Sequence, residues 1–126
     1  MVVVFRVDSS YEIGTGHVMR CLCLANRLSK DSINIIFMCR ELPGNINDEI
    51  RTQGFQVINF PTDVNFIKNS ENSIYLNWLN ESYENEIQHS RKELERIRPC
   101  LLIVDHYGID SQWESEMRDF AQRIMV

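Results

Sequence analysis

Five short apolar runs, spaced by helical patterns, constrain this chain more than any other feature. Val2 to Asp8 is a β-branched run broken only by Arg6 and Asp8, which predicts a buried strand. Ile33 to Cys39, Phe55 to Phe60 and Cys100 to Asp105 repeat that signature, and Arg123-Ile124-Met125-Val126 begins a fifth. From His17 to Lys30 the residues Val18, Cys21, Leu22, Ala25 and Leu28 keep the spacing of an amphipathic helix. Pro43 and Gly54 bracket a short helix, with Pro43 in its first turn and Gly54 just past its end. Tyr83, Ile87, Leu94 and Ile97 stripe a long charged helix that Pro99 ends. Ser111 and Glu114 predict a capping box for a last helix bearing Trp113, Met117, Phe120 and Ala121. Between Thr62 and Asn80 the periodicity fails, and an irregular loop with isolated Phe66, Tyr75 and Trp78 is expected.

Strands alternating with helices predict an α/β domain, a parallel sheet covered on both faces. A length of 126 residues allows one such domain. The formal charge of −5 argues against a general affinity for nucleic acid or an anionic membrane. No apolar run approaches the ~18 residues of a membrane span, and no signal-peptide layout is visible. Cys21, Cys23, Cys39 and Cys100 form no C-x-x-C pair, so buried free thiols in a reducing cytoplasm are expected. A chain that stops inside an apolar strand is expected to be part of something longer.

Parallel sheets bind ligands beyond the carboxyl ends of their strands, which directs the search to two loops. The first runs from Asp8 and Ser9 to Gly14-Thr15-Gly16-His17 at the start of the first helix. Its glycines let a backbone approach a phosphate at the helix N-terminus, or they simply make a tight turn. His17 stands where the helix dipole disfavours a second positive charge, so its imidazole suits proton acceptance. Arg20, one turn on, faces either the same ligand or solvent. Asp8 caps its loop, holds a sugar hydroxyl or orients a histidine. The second loop opens with Asp105-His106-Tyr107-Gly108, and adjacent strand residues point to opposite faces unless the strand has ended. His89 is expected to be exposed on the charged helix. Neither metal-ligand spacing nor a serine-nucleophile elbow appears, so no metal and no cofactor are expected.

Together the motifs Phe5-Arg6-Val7-Asp8-Ser9-Ser10, Ile13-Gly14-Thr15-Gly16-His17-Val18-Met19-Arg20-Cys21-Leu22, Cys39-Arg40-Glu41-Leu42-Pro43-Gly44 and Val104-Asp105-His106-Tyr107-Gly108-Ile109-Asp110 carry a resemblance. They resemble the UDP-2,4-diacetamido-2,4,6-trideoxy-β-L-altropyranose hydrolases of pseudaminic acid biosynthesis. The resemblance implies the N-terminal Rossmann-like domain of a GT-B-type enzyme, spanning residues 1–126. It further implies His17 as general base, with Asp8, Ser9, Gly14, Thr15, Gly16, Arg20, Asp105, His106 and Tyr107 facing the substrate. The implied partners are a UDP-sugar and a C-terminal domain that holds the uridine, in a cytoplasmic monomer. Trp78-Leu79-Asn80-Glu81 departs from the family's Trp-Leu-Gly. Two other readings stay open: a GT-B glycosyltransferase, which needs an acceptor, and a non-catalytic flavodoxin-like module.

Overall fold

Val3, Val4, Phe5 and Val7 are all buried, as a strand covered on both faces requires, and they form the centre of β1 (Val2–Val7). The computed structural model describes residues 1–63, 66 and 77–126. After β1 come α1 (Gly16–Ser29), β2 (Asn34–Arg40), α2 (Asn47–Thr52) and β3 (Gln56–Phe60). Then follow α3 (Tyr83–Ile97), β4 (Leu101–Asp105), α4 (Ser111–Met117), a 3₁₀ turn (Arg118–Phe120) and β5 (Arg123–Met125). Within the loop expected between Thr62 and Asn80, positions 64, 65 and 67–76, Tyr75 among them, lie outside the described residues.

All five strands run parallel in the order β3-β2-β1-β4-β5, with helices on both faces, a Rossmann-like arrangement. Alternation along the strands divides the core in two. Val3, Phe5, Val7, Phe37, Cys39 and Ile103 pack under Val18, Cys21, Leu22 and Ala25 of α1 and Ile50 of α2. Phe5 and Phe37 are register partners and stack at 4.8 Å between ring centres. On the other face Val4, Ile36, Met38, Leu102 and Val104 meet Leu94 of α3 and Trp113 and Met117 of α4. Strand order reverses between β1 and β4, so the crevice where such sheets bind ligands opens at the ends of these two strands.

Three local expectations change. Pro43 lies outside α2, in a turn closed by Asn45 N–H donating to Leu42 O at 3.2 Å. Gly44 adopts φ +79° there, so the pair Pro43-Gly44 serves a type II-like turn rather than a helix start. A Cβ at Gly44 would also fall 2.6 Å from the Tyr11 ring. The cap of α4 is Asp110, not Ser111: its Oδ1 accepts from Gln112 N at 3.1 Å and Trp113 N at 3.3 Å. Extended backbone at Asp110 turns its carboxylate onto the free amides, while Ser111 is already helical. Cys23 is exposed, because it falls on the outer face of α1, while Cys21 and Cys39 are buried.

Candidate functional site

The loop after β1 is built from its own short-range bonds. Ser10 Oγ accepts from Ile13 N and Ser10 O from Gly14 N, both at 2.8 Å. Gly14 takes φ +85°, a conformation that favours glycine on backbone grounds alone. Gly16 has no such need, and a Cβ added to it would meet nothing within 4 Å. Thr15 occupies the N-cap position of α1 without a side-chain cap bond, so α1 opens with no hydroxyl on its first amides. Ser9 is buried, and its hydroxyl accepts from Ile46 N at 2.9 Å, tying the loop to the approach of α2.

At the top of α1 four candidates meet. His17 Nδ1 lies 2.8 Å from Asp105 Oδ1, at the carboxyl end of β4. Arg20 grips the same carboxylate with two bonds, Nε to Oδ2 at 2.5 Å and Nη2 to Oδ1 at 2.6 Å. The Tyr107 ring stands edge-on to the imidazole at 5.0 Å and stacks on Trp78 at 6.2 Å. Arg20 Nη2 also comes within 3.2 Å of His17 Nδ1. Nδ1 cannot accept from arginine while donating to a carboxylate. The shorter contact is with an anion, and Arg20 Nη2 already has a nearer acceptor in Asp105 Oδ1, which favours Nδ1–H donating to Asp105. Burial pushes the Asp105 carboxyl up, but the hydrogen bonds from Arg20 and His17 outweigh it and hold it below the usual carboxylate value.

Asp8 and His106 lie on the opposite face and pair with each other, His106 Nε2 donating to Asp8 Oδ2 at 2.8 Å. His106 Nδ1 accepts from Gly108 N at 2.9 Å, so both ring nitrogens are engaged and no lone pair remains for a base. The other Asp8 oxygen accepts from Arg6 Nη1 at 2.7 Å and Arg40 N at 2.6 Å. Burial would raise this carboxyl, yet the Arg6 charge and the His106 bond hold it far below the ordinary range. Asp8, almost fully buried, therefore does not touch His17; Asp105 takes the orienting position considered for it.

Beneath this pair lies a buried ionic network. Arg6, Arg40 and Glu86 are each fully buried. Glu86 Oε1 accepts from Arg6 Nη2 at 2.5 Å and from Arg40 Nη2 at 2.7 Å, and Glu86 Oε2 accepts from Ser90 Oγ at 2.5 Å. His89, expected in solvent, is half-buried against the Phe60 ring and lies 3.3 Å from Arg40 Nη1. Among the described residues, no three His, Cys, Asp or Glu side chains gather as a metal site. Nor is any described helix long and apolar enough to cross a membrane.

No family model matches the chain. Over 125 residues, 99% of the chain, it is 27% identical to an uncharacterized protein of Methanocaldococcus jannaschii. Over 109 residues, 86% of the chain, it is 35% identical to the UDP-2,4-diacetamido-2,4,6-trideoxy-β-L-altropyranose hydrolase of Campylobacter jejuni. These matches span 21% and 29% of the two relatives' lengths. The chain is thus similar to less than a third of the length of a protein named as a UDP-sugar hydrolase, and it carries a Rossmann-like sheet with His17 beside the crevice at the ends of β1 and β4.

Proposed function

We propose that this chain forms the sugar-side wall of the catalytic cleft of a sugar-nucleotide hydrolase, with His17 as general base. The observation that carries the reading is His17 itself, held by Asp105 at the crevice between β1 and β4. The similarity to a UDP-sugar hydrolase supports it. In this reading His17 Nε2 takes a proton from water as the water oxygen attacks the anomeric carbon. The bond from that carbon to the diphosphate oxygen breaks, its electron pair leaves with UDP, and the configuration inverts. Ordinary glycosidases need a second carboxylic acid to protonate the leaving oxygen, but a nucleoside diphosphate departs without one.

The substrate we infer is a UDP-linked diacetamido-trideoxy sugar, released as the free sugar for nonulosonate synthesis in the cytoplasm. Its uridine would be held by a second Rossmann-like domain, completing a GT-B arrangement in a monomeric protein. Backbone amides near Gly16 would face the diphosphate. The test is free-sugar release from the UDP-sugar without any acceptor, by a polypeptide joining this chain to a nucleotide-binding domain. Turnover only when an acceptor is added would make it a transferase, and no turnover with any UDP-sugar would refute hydrolysis.

A further inference from the structure

We propose that Asp105 is the positioning residue of this site: clamped by Arg20, its carboxylate fixes His17 as the Nδ1–H tautomer and leaves the lone pair on Nε2. The proposal deepens the reading of His17 as a base and rests on it for its functional consequence. Which nitrogen of a histidine carries the proton is set by the bond the other makes. Here two groups compete for Nδ1. Asp105 Oδ1 at 2.8 Å can only accept, so it demands Nδ1–H. Arg20 Nη2 at 3.2 Å can only donate, and would force the proton to Nε2, leaving no base. The arrangement resolves the competition, because Arg20 spends its planar fork on both oxygens of Asp105. That fork fixes the carboxylate plane, and Cys21 Sγ approaches Oδ2 at 3.8 Å from the α1 side. The Tyr107 edge contact then fixes the imidazole plane. Asp105 touches no reacting atom; it acts through His17.

Tautomers are read directly from two-bond proton–nitrogen correlations of the histidine-labelled chain above the imidazole titration range. His17 is expected to show a protonated Nδ1 and an unprotonated Nε2. His106 provides an internal contrast of opposite sense, since its Nδ1 accepts from Gly108 and its Nε2 donates to Asp8. In Asp105→Asn the carboxamide can donate to Nδ1, and His17 is expected to switch to Nε2–H. In a hydrolytically active polypeptide the same variant should lose roughly 10²–10⁴-fold in kcat with a smaller change in KM. An Nε2–H tautomer of His17 in the unaltered chain overturns the proposal, as does an unchanged tautomer in Asp105→Asn. If that variant fails to fold, Asp105→Ala replaces it: with the acceptor gone and the Arg20 donor left at Nδ1, His17 should shift toward Nε2–H, and an unmixed Nδ1–H form there refutes the positioning. The expected tautomer without hydrolysis of any sugar nucleotide would leave the positioning intact and refute the function proposed for it.

Discussion

Replacing Glu86 by Gln removes one negative charge from a sealed group of two arginines and two carboxylates. Glu86 is fully buried and accepts from Arg6, Arg40 and Ser90. Burial alone would raise its pKa, but the Arg6 charge, its hydrogen bond, and the contributions of Arg40 and Ser90 bring it from 4.5 to about 2. Each unit corresponds to about 1.4 kcal/mol, so the ionised carboxyl contributes roughly 3 kcal/mol at neutral pH. Gln keeps the shape but turns an amide N–H toward guanidinium donors and leaves a buried positive charge uncompensated. Breaking such a pair costs about 3–5 kcal/mol, a large part of a domain's ~5–15 kcal/mol.

The pH dependence has a definite sign. A carboxyl whose folded pKa is depressed stabilises fully above its unfolded value and loses that contribution as pH falls through the folded value. Between pH 5 and pH 2 the original chain should therefore lose about 3 kcal/mol that Glu86→Gln does not have to lose. Asp8 titrates in both proteins, so it cancels to first order in the difference. Urea unfolding followed by far-ultraviolet circular dichroism at pH 7, 5, 3 and 2 measures this. A cost under about 1 kcal/mol at pH 7, or a difference that stays constant down to pH 2, would refute the buried-network argument.

Other perturbations separate fold from site. His17→Asn, in a polypeptide that releases free sugar, should lower kcat by roughly 10²–10⁴-fold and KM less; retention of kcat would remove His17 as the base. Gly14→Ala should cost about 1 kcal/mol or more because φ is +85°, whereas Gly16→Ala should leave stability within about 0.5 kcal/mol and still impair turnover. Thermal melts and kinetics of the two variants side by side test that contrast. Asp110→Ala should destabilise the chain by about 1 kcal/mol through loss of the α4 cap, while Ser111→Ala should cost much less; equal costs in urea titrations would contradict Asp110 as the cap.

Strand and helix order were legible because burial imposes periods that short windows reveal. The run around Val3 and Phe5 and the stripe Val18, Cys21, Leu22 and Ala25 each declare their element without tertiary information. Turn chemistry was less legible, since Pro43 suits either a helix start or a turn, and the φ of Gly44 decides it. The site divides the same way. Glycines before a helix and a histidine on its first turn point to the crevice, but the Asp105 contact with His17 joins residues far apart in sequence. The ionic network left a signal that composition hides. Arg6 and Arg40 sit in strands that must be covered on both faces, and Glu86 shares a helical stripe with Ser90 and Leu94. Charges on faces that must be dry require partners of opposite sign, and these residues supply one another.

The motif Asp105-His106 shows why this chain carries two carboxylate–histidine pairs with opposite capabilities. Strand geometry sends the two neighbours to opposite faces, and each finds its partner on another element. His106 meets Asp8, whose second oxygen is held by Arg6 and by the Arg40 amide, so this pair fastens β4 to β1 and β2. With Gly108 N–H on its other nitrogen, the His106 ring is a bracket with no proton-accepting atom left. His17 meets Asp105 through Nδ1, and the Arg20 fork that secures the carboxylate extends from a largely exposed side chain. One pair therefore fixes the floor of the crevice, and the other holds the His17 ring above it through Nδ1 alone. That division follows from which nitrogens the backbone and neighbouring carboxylates occupy, and it is why the proposed reading gives the base to His17 and leaves His106 a structural bracket.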